Sequence, residues 1–166
     1  MRKPSAIAGS VLFLVLAPGI VAGLLPWLIT DGYGLPLSSN AAFVAAGALL
    51  AVAGLAVLLH AFMRFALEGS GTPAPVAPTE KLVIGGVYRH VRNPMYVAVL
   101  SIIFGQALIF GHWPVAAYGC IAGAAMFAFV KAYEEPTLAR RYGASYEAYR
   151  RAVPGWWPRL TPWNGE

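Results

Sequence analysis

Apolar residues fill this chain in long blocks, without the alternation of a half-buried strand or the narrow stripe of a soluble helix. From Lys3 to Asp31, and again from Asn40 to Arg64, the run is free of internal charge. A third block, Asn93 to Val130, holds no Asp, Glu, Lys or Arg, and Gly111-His112-Trp113-Pro114 interrupts it near its middle. A membrane-crossing helix needs about 20 mostly apolar residues. The pattern therefore predicts an all-α polytopic bundle with four transmembrane helices, over roughly 5–29, 41–66, 94–111 and 114–133. The last two make a tight hairpin, and Gly32-Tyr33-Gly34-Leu35-Pro36 turns the chain between the first two.

Beyond the last block the period changes. Leu138, Tyr142, Tyr146, Tyr149 and Val153 recur at helical spacing while Arg140, Arg141, Glu147 and Arg151 point elsewhere. This predicts an amphipathic helix along the membrane surface over 136–153, set off from the fourth span by Pro136, which lacks an amide donor. The loop over 67–93 contains the one stretch of linker composition, Ser70 to Thr79.

Composition agrees with a membrane protein of one domain: 166 residues, 58% hydrophobic and only 11% charged, with a mean hydropathy of +0.62. The first apolar segment exceeds the signal-peptide core of about 7 to 15 residues and is read as a retained span. All twelve Lys and Arg fall on one side of this four-span arrangement, and the two opposite loops carry none. By the positive-inside rule both termini and the central loop face the cytoplasm, at the inner membrane if the host is bacterial. The net charge of +5 then reports orientation and contact with anionic membrane lipids. No motif would place a helix or sheet in a nucleic-acid groove, so no nucleic acid is expected as a partner. Cys120 is the only cysteine, which leaves no intrachain disulfide and no thiolate cluster. The three histidines lack metal-ligand spacing with a supporting carboxylate, so no metal is expected. Nothing in the chain marks an oligomeric state.

Candidate chemistry gathers where the central loop meets the third span. Lys81, Arg89, His90 and Arg92 stand directly against apolar sequence, with Tyr88 and Tyr96 as aromatic walls and Asn93 as donor and acceptor. Pro94 suits the first turn of a helix, whose open amides favour a carboxylate or phosphate. Taken singly, Arg89 and Arg92 also fit a role as anchors whose stems lie along apolar surface. Glu134-Glu135, beside Lys131, end the fourth span, and the hairpin brings that end back to the start of the third. A carboxylate there can face the same pocket as Tyr88, Asn93 and Tyr96. On the second span His60 and Arg64 lie one turn apart and line the pocket's mouth, unless Arg64 pairs with Glu68 one turn further on.

The block GVYRHVRNPMY, preceded by GTPAPVAPTEKLV and followed by EEPTLARRYGASYEAYRRAVP, resembles the isoprenylcysteine carboxyl methyltransferase family of membrane enzymes. Membrane phospholipid methyltransferases share the general pattern. The resemblance covers about the last hundred residues and implies an S-adenosylmethionine-dependent enzyme that methylates a lipophilic acceptor, an isoprenylcysteine-like carboxylate or a lipid. By motif position it implies cofactor contacts at Lys81, Leu82, Val83, Tyr88, Asn93, Pro94, Met95, Tyr96 and Glu134. Arg92, Asn93 and Glu134 are the candidate catalytic residues, and His60, Arg64, Lys131 and Glu135 the candidate substrate contacts. Arg92 matches the arginine of the family's Arg-His-Pro-x-Tyr signature, but Asn93 stands in the histidine's place and Ala98 where glycine often follows. An asparagine hydrogen-bonds yet cannot serve as a base near neutral pH, so a mechanism needing an imidazole there does not carry over. The competing readings are a non-catalytic membrane protein binding anionic headgroups and, less favoured, a membrane reductase.

Overall fold

The computed structural model describes residues 9, 11–68 and 81–165, and among them every regular element is helical. The Ser70–Thr79 linker and the beginning of the first span lie outside the described residues. Three helices are long and apolar enough to cross a membrane: α1, Val11–Ile29; α2, within Ala41–Glu68; and α4, Trp113–Tyr142. Between the last two stands α3, Pro94–Phe110, an apolar helix of 17 residues. At 1.5 Å per residue α3 is about 25 Å long, somewhat short of a hydrocarbon core of about 30 Å.

α2 and α3 pack backbone to backbone because small residues meet along the seam. A Cβ placed on Gly47 would stand 2.5 Å from the carbonyl oxygen of Gly105, and one on Gly54 would stand 2.8 Å from that of Ala98. Such close approach is how helices associate where lipid removes the hydrophobic drive between them. Around the seam lies a core of Ala22, Leu58, Phe62, Val99, Ile103 and Val115.

α1 carries an irregularity: Val15–Leu24 winds as a π-helix with Pro18 inside it, and Pro26 follows. A proline at 26 has no N–H to give to the Ala22 carbonyl four residues back, and the Val21 carbonyl stands one position earlier, beside the change of winding. Neighbouring helices satisfy both: Gln106 Nε2 donates to Ala22 O at 2.8 Å, and Tyr118 Oη donates to Val21 O at 2.8 Å. In a bilayer an unpaired carbonyl is costly, so the pairing ties α1 to α3 and α4.

The expected break at Pro136 does not occur. α4 runs on to Tyr142 through a π-turn at Val130–Glu134, after which an α-helical stretch restarts at Glu135 with Pro136 in its first turn. There the missing N–H costs little. The chain bends instead at Gly143, whose φ of +52° glycine adopts without steric penalty. Ala144–Ala152 then forms α5. Its apolar face packs into the protein, with Tyr146, Tyr149 and Val153 buried against Leu82, Ile84 and Leu138.

Candidate active site

The residues of the 81–96 block are held in place from two sides. On one side Gly85 and Gly86 run against α2, so closely that a Cβ on either would collide with Glu68 or with His60 and Arg64. Glu68 accepts from Arg64 Nη1 at 2.5 Å and from the Gly85 amide at 3.2 Å. Arg64 therefore forms the ion pair with Glu68, the alternative its spacing allowed, and fastens the loop to α2.

On the other side the C-terminal segment lies along 88–93. The amides of Arg92 and Asn93 donate to Pro154 O and Gly155 O, at 2.9 and 3.1 Å, and those of Arg159 and Trp163 donate to His90 O and Arg89 O, at 2.9 and 3.0 Å. Tyr149 Oη donates to Tyr88 O at 2.6 Å. Burial raises the Tyr149 and Tyr88 phenols well above their ordinary range, so both hydroxyls stay protonated at any physiological pH. Arg89 donates to Trp163 O and to the Asn164 side chain, and His90 Nδ1 lies 2.8 Å from Arg159 O. Two groups that looked available for a ligand thus hold the tail.

Arg92 is committed in the same way. Its Nε donates to Val153 O at 2.9 Å, and its Nη1 reaches Glu135 Oε1 and Tyr146 Oη, each at 3.1 Å. Glu135, only 7% exposed, also accepts from Lys131 Nζ at 3.0 Å. A carboxylate removed from water needs such compensation, and two cations supply it. Four residues on from Arg92, in the first turn of α3, Tyr96 Oη donates to Glu134 Oε1 at 2.5 Å. The consecutive carboxylates of α4 therefore reach one residue just before α3 and one in its first turn, at the π-turn where the winding of α4 is altered.

These groups close one end of a cavity of about 740 Å³. Along α4 its wall is a stripe three and four residues apart: Tyr118, Ala122, Ala125, Phe129, Tyr133, Thr137 and Arg141. The stripe is mostly apolar upstream of Glu134, with Val21 of α1 beside Tyr118, and becomes polar at Glu134; Phe13 of α1 and Phe62 of α2 also line the cavity. Asn93 lines the polar end with its Nδ2 buried and without a hydrogen-bond partner, a donor left open to a ligand.

Leu82, Val83, Tyr88, Asn93, Pro94, Met95, Tyr96 and Glu134 all line this one cavity, as do Arg92 and Glu135. Lys81 is exposed and stands outside it, as do His60, Arg64 and Lys131. Gly86 lies against His60, whose Nε2 is buried and unpaired among the described residues. Sequence reasoning missed the contributions of Arg141, Tyr146 and Tyr149. Their helical stripe was visible, but its burial was assigned to the membrane surface. Phe13 and Val21 gave no local signal that separates them from other span residues. No group of three or more His, Cys, Asp or Glu able to hold a metal occurs among the described residues.

The fold and the cavity define a helical membrane protein with an amphiphilic chamber at one end of its bundle. The chain belongs to the phospholipid methyltransferase family, whose model matches residues 42–145. That stretch runs from α2 to the start of α5 and includes Arg92, Asn93, Tyr96, Glu134, Glu135 and Arg141 of the chamber, while Tyr146 and Tyr149 lie just beyond it. No curated protein and no solved structure matches the chain. The resemblance to membrane methyltransferases is borne out, and the protein is a membrane methyltransferase.

Proposed function

We propose that the protein transfers a methyl group from S-adenosylmethionine to the polar head of a lipid, with donor and acceptor meeting in the chamber between α3 and α4. The observation that carries this reading is the change from apolar to polar lining along one continuous cavity, with Glu134, Tyr96 and the unpaired Asn93 amide at the change.

The residues fit the donor. A sulfonium is stabilised by a carboxylate and by aromatic faces, and Glu134 stands here beside Tyr96 and Tyr88. Asn93 Nδ2 can donate to an oxygen or ring nitrogen of the same ligand. When bound, S-adenosylmethionine supplies a methyl group already activated on sulfur. The protein's task is then alignment, and well-oriented intramolecular reactions reach effective molarities of roughly 10⁵ to 10⁸ M. Arg92 holds Glu135, Tyr146 and Val153, and so positions α4 and α5 around the site.

The same commitment bears on the acceptor. With Arg92 already paired, the group left beside Tyr96 to meet an acceptor is Glu134, whose carboxylate form attracts a lipid amine and repels a lipid carboxylate. Glu134 is also placed to take the proton that an amine releases on methylation. The lipid's tail lies against Phe13, Val21 and Met126.

Purified protein tested for displacement of labelled S-adenosylmethionine by S-adenosylhomocysteine checks the donor. Displacement is expected, and no binding of either compound to folded protein overturns the reading. Lipid profiles of cells with and without the gene, compared for a mass difference of one methyl group, identify the acceptor.

A further inference from the structure

The chamber's charged lining is unevenly neutralised. Arg92 is paired with Glu135, Glu135 with Lys131 as well, and Glu134 with the Tyr96 hydroxyl. Arg141 also lines the cavity, yet among the described residues no carboxylate pairs with it. Its guanidinium carbon lies 5.8 Å from the centre of the Tyr142 ring, at the rim.

Its place along α4 narrows what it can hold. Arg141 follows Glu134 by seven residues, about two turns, which returns it to the same helix face about 10 Å further along the axis. The lining upstream of Glu134 is apolar, and the lining downstream includes Thr137 and Arg141. A lipid whose tail fills the apolar part and whose head ends at Glu134 carries its phosphate on the tail side of that head, away from Arg141. A ligand extending past Glu134 in the opposite direction brings any anionic end towards Arg141.

We propose that Arg141 binds the carboxylate at the amino-acid end of the methyl donor and so fixes the direction in which the donor lies in the chamber. This rests on the donor assignment under Proposed function. Guanidinium and carboxylate match in geometry, and an arginine on an aromatic face keeps its outward donors free. Glu134 and Arg141 then address the two ends of one charge pattern, the sulfonium and the carboxylate.

The test uses two nucleosides that differ in that carboxylate. S-adenosylhomocysteine has the amino-acid end, and 5′-methylthioadenosine lacks it. Their dissociation constants are measured on the full-length protein and on Arg141→Gln and Arg141→Lys. A charge-assisted hydrogen bond is worth about 1.5 to 3 kcal/mol, so Arg141→Gln is expected to weaken S-adenosylhomocysteine about tenfold or more. It should leave 5′-methylthioadenosine unchanged, and Arg141→Lys should recover part of the loss. Equal weakening of both compounds shows a structural role and overturns the proposal. Unchanged binding of both, with a raised KM for the lipid acceptor, assigns the arginine to lipid phosphate and overturns it too. Failure of the unaltered protein to bind either nucleoside is a different result, which sinks the donor assignment itself.

Discussion

Tyr96 and Glu134 are joined by a hydrogen bond of 2.5 Å from hydroxyl to carboxylate, across the groove between α3 and α4. The bond ties the start of one helix of the hairpin to the π-turn of the other, at the point where the chamber changes from apolar to polar. It also orients the carboxylate, because one of its oxygens is engaged while the other is left to a ligand.

Replacing Tyr96 by Phe removes that donor and keeps the ring. Donor affinity is expected to fall several-fold, in line with the about 1 kcal/mol that a typical hydrogen bond contributes. Glu134→Gln keeps a hydrogen-bond acceptor but removes the charge that faces the sulfonium, and should cost more. Equilibrium binding of S-adenosylmethionine, which carries that sulfonium, to detergent-purified variants reads both effects. Affinity unchanged in both variants means the donor does not lie between these helices.

The Arg92–Glu135 pair predicts a stability effect separable from binding. Breaking a buried pair from one side leaves a charge uncompensated, at a cost of about 3 to 5 kcal/mol. Glu135→Ala should therefore lower the thermal unfolding midpoint sharply. Arg92→Lys should lower it too, because one ammonium cannot reach Val153 O, Glu135 and Tyr146 together. A scanning unfolding assay in detergent measures the shift.

Gln106 gives a prediction far from the chemistry. Its side chain satisfies the Ala22 carbonyl that Pro26 leaves open and accepts from Tyr33 Oη at 2.7 Å. Gln106→Leu should destabilise the attachment of α1 by about 1 to 3 kcal/mol, the cost of an unsatisfied buried group. Cysteines introduced on facing positions of α1 and α3 should then cross-link less efficiently.

The small-residue seam is equally open to test. Gly54→Leu places a side chain against Ala98 O and Ser101 at the packed contact of α2 with α3. Overpacking typically costs about 1 to 3 kcal/mol. Here helix backbone blocks relaxation, so the unfolding midpoint should drop towards the upper end of that range.

Ending the chain at Val153 should abolish donor binding although, among the described residues, none after it lines the chamber. The segment beyond supplies the acceptors for the Arg92 and Asn93 amides and for the Arg89 guanidinium, which hold the 88–93 turn in shape. Binding measured on folded, membrane-inserted truncated protein checks this, and retained affinity would show that the turn holds itself.

Much of the lining of the candidate chamber was legible before any coordinates. Leu82, Val83, Tyr88, Asn93, Pro94, Met95, Tyr96 and Glu134 were picked out by motif position and do line one cavity. Proximity across a hairpin follows from the turn alone, which is why Glu134 could be set beside Tyr96. Partner choice could not be read in this way. Arg89, His90 and Arg92 carry donors that suit a ligand and a backbone carbonyl equally well, and only the path of residues 153–164 shows that the tail takes them. Pro136 misled for a local reason, since a proline ends a helix unless the winding has just been reset, and no residue pattern announced the π-turn.

The sequence alone determined the membrane environment and the helical class, because a bilayer demands apolar residues in long runs and forces backbone groups to pair within each run. It also set the rank of candidate residues, through motifs that lie close together along the chain or across one turn. Tertiary structure decided which polar groups are spent and which remain open. That outcome depends on contacts between segments some sixty residues or more apart, such as Arg92 with Val153 and Gln106 with Ala22. A hydrogen-bond donor carries no mark of its partner until folding brings the acceptor within reach.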